Sequence, residues 1–235
     1  MSEGRSATWI AALGGGLIGS LVTAGLLLLA APQYGPKLVR EALVKQPQIL
    51  VDASEALRDG QYAPVLATNR AALETPFGSS WKGSAKPDVV MTYFYDYACG
   101  YCRKSNPDID RLVAEDKSVR VVFREFPILG PDSVAAARVA LAASKGGKFG
   151  AFHDSMFAAG RPSSETIAMV AGQLGISPEQ ARDPAIEAEL AKNMSLAGQL
   201  GASGTPLFIV GDKVMNSAVG YDVLKDAVAS ARQKG

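Results

Sequence analysis

Two apolar runs of strand length, Val89–Tyr95 (VVMTYFY) and Val119–Phe126 (VRVVFREF), flank a polar segment from Arg103 to Asp116. Ile109, Leu112 and Val113 fall on one face of that segment, which reads as a helix. Strand, helix and strand within about 40 residues make a βαβ unit, which demands parallel strands and a right-handed crossover. At the passage from the first strand into the helix stand Cys99-Gly100-Tyr101-Cys102, and they hold the only two cysteines of the chain.

Two thiols separated by two residues at a helix start can close a small disulfide ring and open it by exchange with another protein's thiols. Free backbone N–H groups and the positive end of the helix dipole favour a thiolate at Cys99. That makes Cys99 the nucleophile and the good leaving group. Cys102, one turn further in, is placed to attack Cys99 and resolve a mixed disulfide. The competing chemistry is a structural metal centre, which needs four ligands, usually Cys and His. His153 is the only histidine, some fifty residues on in a helical stretch, and reads as a packing residue. Gly204-Thr205-Pro206 precedes the strand LFIV, and a proline opening a strand after a glycine-containing loop is a candidate cis peptide.

The rest of the chain is organised around that unit. Trp9 to Ala31 carries no charge and spans roughly 34 Å as a helix, enough to cross the hydrocarbon core. A cleaved signal peptide is the alternative. Its apolar region would be shorter, and Leu28 and Leu29 stand where a small residue is wanted, so an uncleaved anchor over residues 1–35 is the preferred reading. Trp9 and Tyr34 suit the two interfaces, whereas Arg5 against Lys37, Arg40 and Lys45 leaves the orientation open. Disulfide chemistry favours placing the soluble part outside the cytoplasm.

Residues 36–76 read as a helical stalk. Val39, Leu43, Gln46, Leu50, Ala53 and Leu57 follow an a/d spacing, and Pro47 starts a new helix or kinks a long one. The seam is expected to pair with copies of itself over 36–60, or to act as an amphipathic spacer. Phe77 to Pro87 is rich in Gly, Ser and Pro and marks a boundary. Residues 77–235 then form the main domain, with an Ala-rich helical insertion at about 131–200. Leu207–Val210 and Lys213–Met215 make a hairpin, and a closing helix runs from about Tyr221 to Gln233. Charge is balanced, 24 Lys and Arg against 23 Asp and Glu, without a basic cluster interleaved with aromatics, so nucleic-acid binding has no support.

The order VVMTYFYDYACGYC, Pro107 in the following helix, VVFREFPILGPDS and GTPLFIVGD resembles the DsbA-like thioredoxin-fold oxidoreductases. VREALVKQPQILVDASEAL resembles the oligomerising region of the suppressor-of-copper-sensitivity (ScsC) subgroup. The resemblance covers about residues 36–235. It implies an α/β thioredoxin fold with an inserted helical domain, preceded here by a transmembrane helix and the stalk. It further implies that Thr205 and Pro206 lie beside the Cys pair and, with Gly100 and Tyr101, meet an extended substrate strand. A bacterial inner-membrane protein with its soluble domain in the periplasm is expected. Its partners would be protein thiols or disulfides and a membrane redox protein that recycles the pair. No cofactor beyond the Cys99–Cys102 disulfide is expected, and no metal. Members commonly carry an acid six residues before the first cysteine. Tyr93 stands there instead, with Asp96 reading as a loop or capping residue and Glu125 as a strand-end charge.

The expected activity is thiol–disulfide exchange on proteins, as isomerase or oxidase. The Gly-Tyr dipeptide puts no cation beside Cys99, and with Thr205 it resembles the isomerase branch. The alternative is a copper- or zinc-sequestering envelope protein using the Cys pair as soft ligands.

Overall fold

The computed structural model describes residues 34–234. Residues 34–45 form α1, residues 46 and 47 are non-helical, and α2 (Gln48–Glu74) follows, so Pro47 separates two helices. Pro64 lies inside α2. Among the described residues, those up to Arg58 group as one compact unit and those from Asp59 as another. The helical segment expected over 36–76 is therefore divided. In the first unit Val39, Leu50 and Leu57 of the a/d seam are 59%, 56% and 66% exposed. In the second, Leu66 and Leu73 are buried in the core. Among the described residues no helix is long and apolar enough to cross a membrane. The Trp9–Ala31 segment lies outside the described residues.

The main unit is built on a five-stranded sheet ordered β1-β3-β2-β4-β5, formed by β1 (Trp81–Gly83), β2 (Val89–Tyr95), β3 (Val119–Glu125), β4 (Leu207–Val210) and β5 (Lys213–Met215). Only β2 and β3 run parallel, joined through α3 (Gly100–Glu115) as the βαβ pattern requires. The edge strand β1 falls in the Gly-, Ser- and Pro-rich segment read as a boundary. Its Gly-Ser-Lys surroundings hide three residues that pair with β3, and Gly83 turns the chain with φ +97°. A Cβ there would sit 2.3 Å from the Val119 carbonyl oxygen, so the position requires glycine.

Both faces of the sheet are covered, which is why β2 reads as a continuous apolar run rather than an alternation. Met91, Tyr93 and Tyr95 face a core shared with α3, α4 (Pro131–Lys145), α5 (Phe149–Ala158) and α8 (Tyr221–Lys234). Phe94, Leu207 and Ile209 face a second core closed by Leu66 and Leu73 of α2 and by Leu196 and Ala197 of α7 (Pro184–Gln199). The insertion comprises α4 through α7, with α6 (Ser164–Gln173) and a short 3-10 turn at Gln180–Arg182 between.

One charged residue ties these layers together. Arg124 of β3 is 1% exposed, pairs with Glu189 of α7, and donates to Asn193 at 3.2 Å. It also donates to the carbonyls of Ala72, Leu73 and Thr75 at the end of α2. A helix terminus leaves such carbonyls without intrahelical partners, and a guanidinium satisfies several at once. Removing one partner of a buried ion pair strands the other. Arg124→Met is therefore expected to cost about 3–5 kcal/mol in urea unfolding, and Arg124→Met with Glu189→Leu to recover much of it.

Candidate active site

The site forms where β2 ends and α3 begins. Asp96 follows β2 and is fully buried. Its carboxylate accepts from the Ala98 backbone N–H (2.7 Å), from those of Ile128 (2.8 Å) and Leu129 (2.9 Å), and from the Ser133 hydroxyl (2.7 Å). One side chain thus fastens the FPILGPDS loop to the approach of the cysteines. Asp96 has the loop role expected of it, whereas the N-caps of α3 and α4 are Cys99 and Gly130.

Cys99 is the N-cap of α3, with extended backbone at φ −80° and ψ 117°. Its Sγ accepts from the Cys102 backbone N–H at 3.4 Å, the bond a capping oxygen ordinarily makes. Both cysteines are free thiols. Cys99 keeps 6% of its surface exposed and Cys102 none. The hydrogen bond from the Cys102 side chain lowers the Cys99 thiol most, with help from the Thr205 side chain and the Cys102 and Tyr101 backbone. Against the penalty of burial, the net result is about 5. Burial pushes the Cys102 thiol strongly the other way, and its neighbour's charge adds to the shift. Two chemically identical groups are therefore held in opposite states, an anion at the helix end and a neutral thiol behind it.

Across the site, the Thr205–Pro206 peptide bond is cis. As a thiol, Cys99 donates to the Thr205 carbonyl oxygen at 3.3 Å. Pro206 is buried and Thr205 half-buried. Gly100 is exposed, with open space where a Cβ would point, and Tyr101 is 64% exposed beneath the Lys104 ammonium. Cys99, Cys102 and Thr205 are thus in direct contact, while Gly100 and Tyr101 form the open rim.

Behind the cysteines lies a buried polar layer that the sequence did not reveal. Glu125 ends β3 as expected, but it is buried rather than a charge at the surface. It is 2% exposed and hydrogen-bonds the Tyr95 hydroxyl, which bonds that of Tyr97 at 3.1 Å. Burial is the main cause holding its carboxyl well above the usual range. His153 is sealed among Tyr95, Phe123, Phe149 and Phe157, with ring centroids 4.8–5.3 Å away and neither ring nitrogen hydrogen-bonded. Burial drives its imidazole to the neutral form, so His153 packs, as expected. The missed signal was parity. Tyr93, Tyr95 and Phe123 share one sheet face, and Glu125 continues it, so a carboxyl at that register is directed inward.

Residues 90–229 match the DSBA-like thioredoxin domain family, more than half of the chain, and the chain belongs to that family of thiol–disulfide oxidoreductases. Among solved structures it is similar to a thioredoxin-like oxidoreductase from Silicibacter pomeroyi DSS-3, at 38% identity and TM-score 0.66 over 70% of this chain and 98% of that one. It is also similar to Proteus mirabilis ScsC in a transitional conformation, at 25% identity and TM-score 0.67 over 88% and 99%. Curated relatives include the Na(+)/H(+) antiporter NhaA 3 of Salinispora tropica, 25% identical over 223 residues. The chain spans less than a third of the length of the curated relatives it matches, 31% and 24%.

Two outcomes follow. In the reduced protein, thiolate absorbance near 240 nm is expected to rise with a midpoint near pH 5 from Cys99, while Cys102 stays silent through neutral pH. Glu125 takes up a proton on folding between its ordinary value of 4.5 and its raised native value, so it costs stability increasingly as pH rises through that window. Glu125→Gln keeps an acceptor for Tyr95 and removes this cost. Thermal unfolding should show it gaining on the native protein with rising pH, and converging with it below pH 4.5.

Proposed function

We propose that the protein exchanges disulfides with protein substrates through Cys99 and Cys102, working outside the cytoplasm from a membrane anchor formed by Trp9 to Ala31. The observation that carries this reading is the single sulfur held as an anion at the N-terminus of α3, 3.3 Å from the Thr205 carbonyl, with a neutral thiol one turn behind. The Cys99 thiolate attacks a substrate disulfide. The substrate's second sulfur leaves, and a mixed disulfide forms at Cys99. Cys102 then loses its proton and attacks Cys99, releasing the substrate reduced, or the substrate resolves the bond itself and leaves rearranged. In the other direction, an oxidised Cys99–Cys102 pair accepts electrons from a substrate dithiol and is recycled by a membrane redox partner. Thr205 and Pro206 are assigned to the substrate strand, with Gly100 and Tyr101 at its rim.

Isomerase work is favoured over oxidase work by two features. No cation lies between the cysteines, and the apolar seam at Val39, Leu50 and Leu57 stands open to a second copy. An assembly through residues 36–60 would present several sites to one misfolded client. The metal-sequestering reading has little donor supply, since no cluster of three or more His, Cys, Asp or Glu side chains suited to a metal occurs among the described residues.

Replacing Cys102 with Ser is expected to trap substrate–protein mixed disulfides on non-reducing gels. Replacing Cys99 with Ser should abolish both trapping and exchange. Stoichiometric, tight Cu(I) binding by the native protein without activity on scrambled disulfides would overturn the assignment.

A further inference from the structure

The exchange reaction leaves one sulfur without an evident source of help. When a substrate thiolate opens the Cys99–Cys102 disulfide, the electron pair passes to Cys102 Sγ, which is fully buried. A thiolate there has lost its water, and an anion out of water needs a hydrogen-bond donor or a cation. Burial is the largest influence on this thiol, and no cation offsets it.

Tyr93 shares the buried core with Cys102. It is fully buried on β2, with Phe208 of β4 stacked on it at 4.7 Å, Tyr95 at 5.3 Å and Phe123 edge-on at 5.6 Å. Three rings fix the phenol. Its hydroxyl reaches into the first turn of α3, donating to the Cys102 carbonyl oxygen at 3.3 Å, on the same residue that carries the buried sulfur. An O–H···O contact of that length is weak, and the hydroxyl hydrogen rotates freely about the C–O bond. A thiolate in the same place would be a far better acceptor than the carbonyl.

We propose that Tyr93 is a further catalytic residue of the exchange reaction, its hydroxyl turning from the Cys102 carbonyl to the Cys102 sulfur as that sulfur leaves the disulfide. The inference rests on the reading that Cys99 and Cys102 exchange disulfides. The substrate thiolate bonds to Cys99 Sγ and the Cys99–Cys102 bond breaks. The negative charge moves from the substrate sulfur to Cys102 Sγ. Tyr93 keeps its proton throughout, because burial and the neighbouring sulfur charge hold the phenol well above its ordinary range. Water or the substrate's second thiol later supplies the proton that neutralises Cys102. In the reverse direction, the same bond holds the developing Cys102 thiolate as it attacks the mixed disulfide.

The consequence is a site without a titrating acid at its base. The titratable groups that face Tyr93 are Cys102 of α3, Cys99 at its N-cap, Tyr97 from the preceding loop and the stacked Tyr95 of β2. Glu125 is one ring away, bonded to Tyr95, and His153 packs on that same ring. A phenol donates without ionising across the neutral range, whereas a carboxyl would impose a pH step.

The test follows reduction of the oxidised full-length protein by dithiothreitol, quenched and alkylated for mass spectrometry at pH 5 to 8, in native protein and in Tyr93→Phe, Tyr93→Glu and Glu125→Gln. Tyr93→Phe should slow disulfide opening about 10- to 100-fold while the Cys99 thiolate midpoint stays near 5. Tyr93→Glu should introduce a pH step that the native protein lacks, and Glu125→Gln should match the native rate. A Tyr93→Phe rate within about twofold of an active native protein overturns the proposal. So does a loss confined to Glu125→Gln, which would make Glu125 the donor. A native protein that exchanges no disulfides at all overturns the reading of the Cys pair itself.

Discussion

The hydrogen bond from the Cys102 backbone N–H to Cys99 Sγ is the contact on which the site depends. It places a sulfur where a helix ordinarily takes a capping oxygen, so the first turn of α3 gains its cap, and the bond adds to the larger effect of the Cys102 side chain in favouring the anion. Everything else in the neighbourhood holds that sulfur in place. The parallel pairing of β2 with β3 sets where α3 starts, and the Asp96 carboxylate ties the incoming loop to the chain after β3. The antiparallel pairing of β2 with β4 brings Thr205 within reach of Cys99. Two crossings of the sheet that are distant in sequence thus meet at one atom.

The interior is more polar than an apolar sheet suggests. Arg124 and Glu125 are neighbours on β3 and point to opposite faces, as the period of a strand requires. Arg124 enters the core under α2 and α7 and is matched by Glu189 and three helix-end carbonyls. Glu125 enters the core under α5 and is matched only by a phenol, so it is held neutral. The contrast shows the two ways a buried charge is managed, by pairing or by protonation. It also divides labour between the faces: one locks the insertion to the sheet, and the other lines the space behind the cysteines.

Much of this was legible in the sequence. Val89–Tyr95, Leu207–Val210 and Lys213–Met215 occur as strands with those ends, because apolar runs bounded by turn residues leave little choice. Helix α4 begins at Pro131 and α7 ends at Gln199, within the Ala-rich stretch read as helical. Cys99, Cys102 and Thr205 are brought together; for Thr205 this is what the family resemblance implied, since neither spacing nor the Thr-Pro loop alone placed it there. What escaped was of two kinds. The edge strand β1 has three residues and no periodicity to detect, and its existence depends on the β3 edge being available. Glu125 and Arg124 carry charges that argue for solvent, and only knowledge that both sheet faces are covered shows where they go. The division of the 36–76 segment near Arg58 was equally invisible, since α2 is continuous through that point and only Leu66 and Leu73 find a core to enter.

The central claim is that one cysteine is a thiolate and the other a thiol across the neutral range. Reduction of the disulfide then takes up two electrons but a single proton. The potential of the Cys99–Cys102 couple, measured against glutathione buffers from pH 6 to pH 8, should fall by about 30 mV per pH unit. A fall of about 59 mV per unit would mean that both sulfurs take up protons, and would contradict the account.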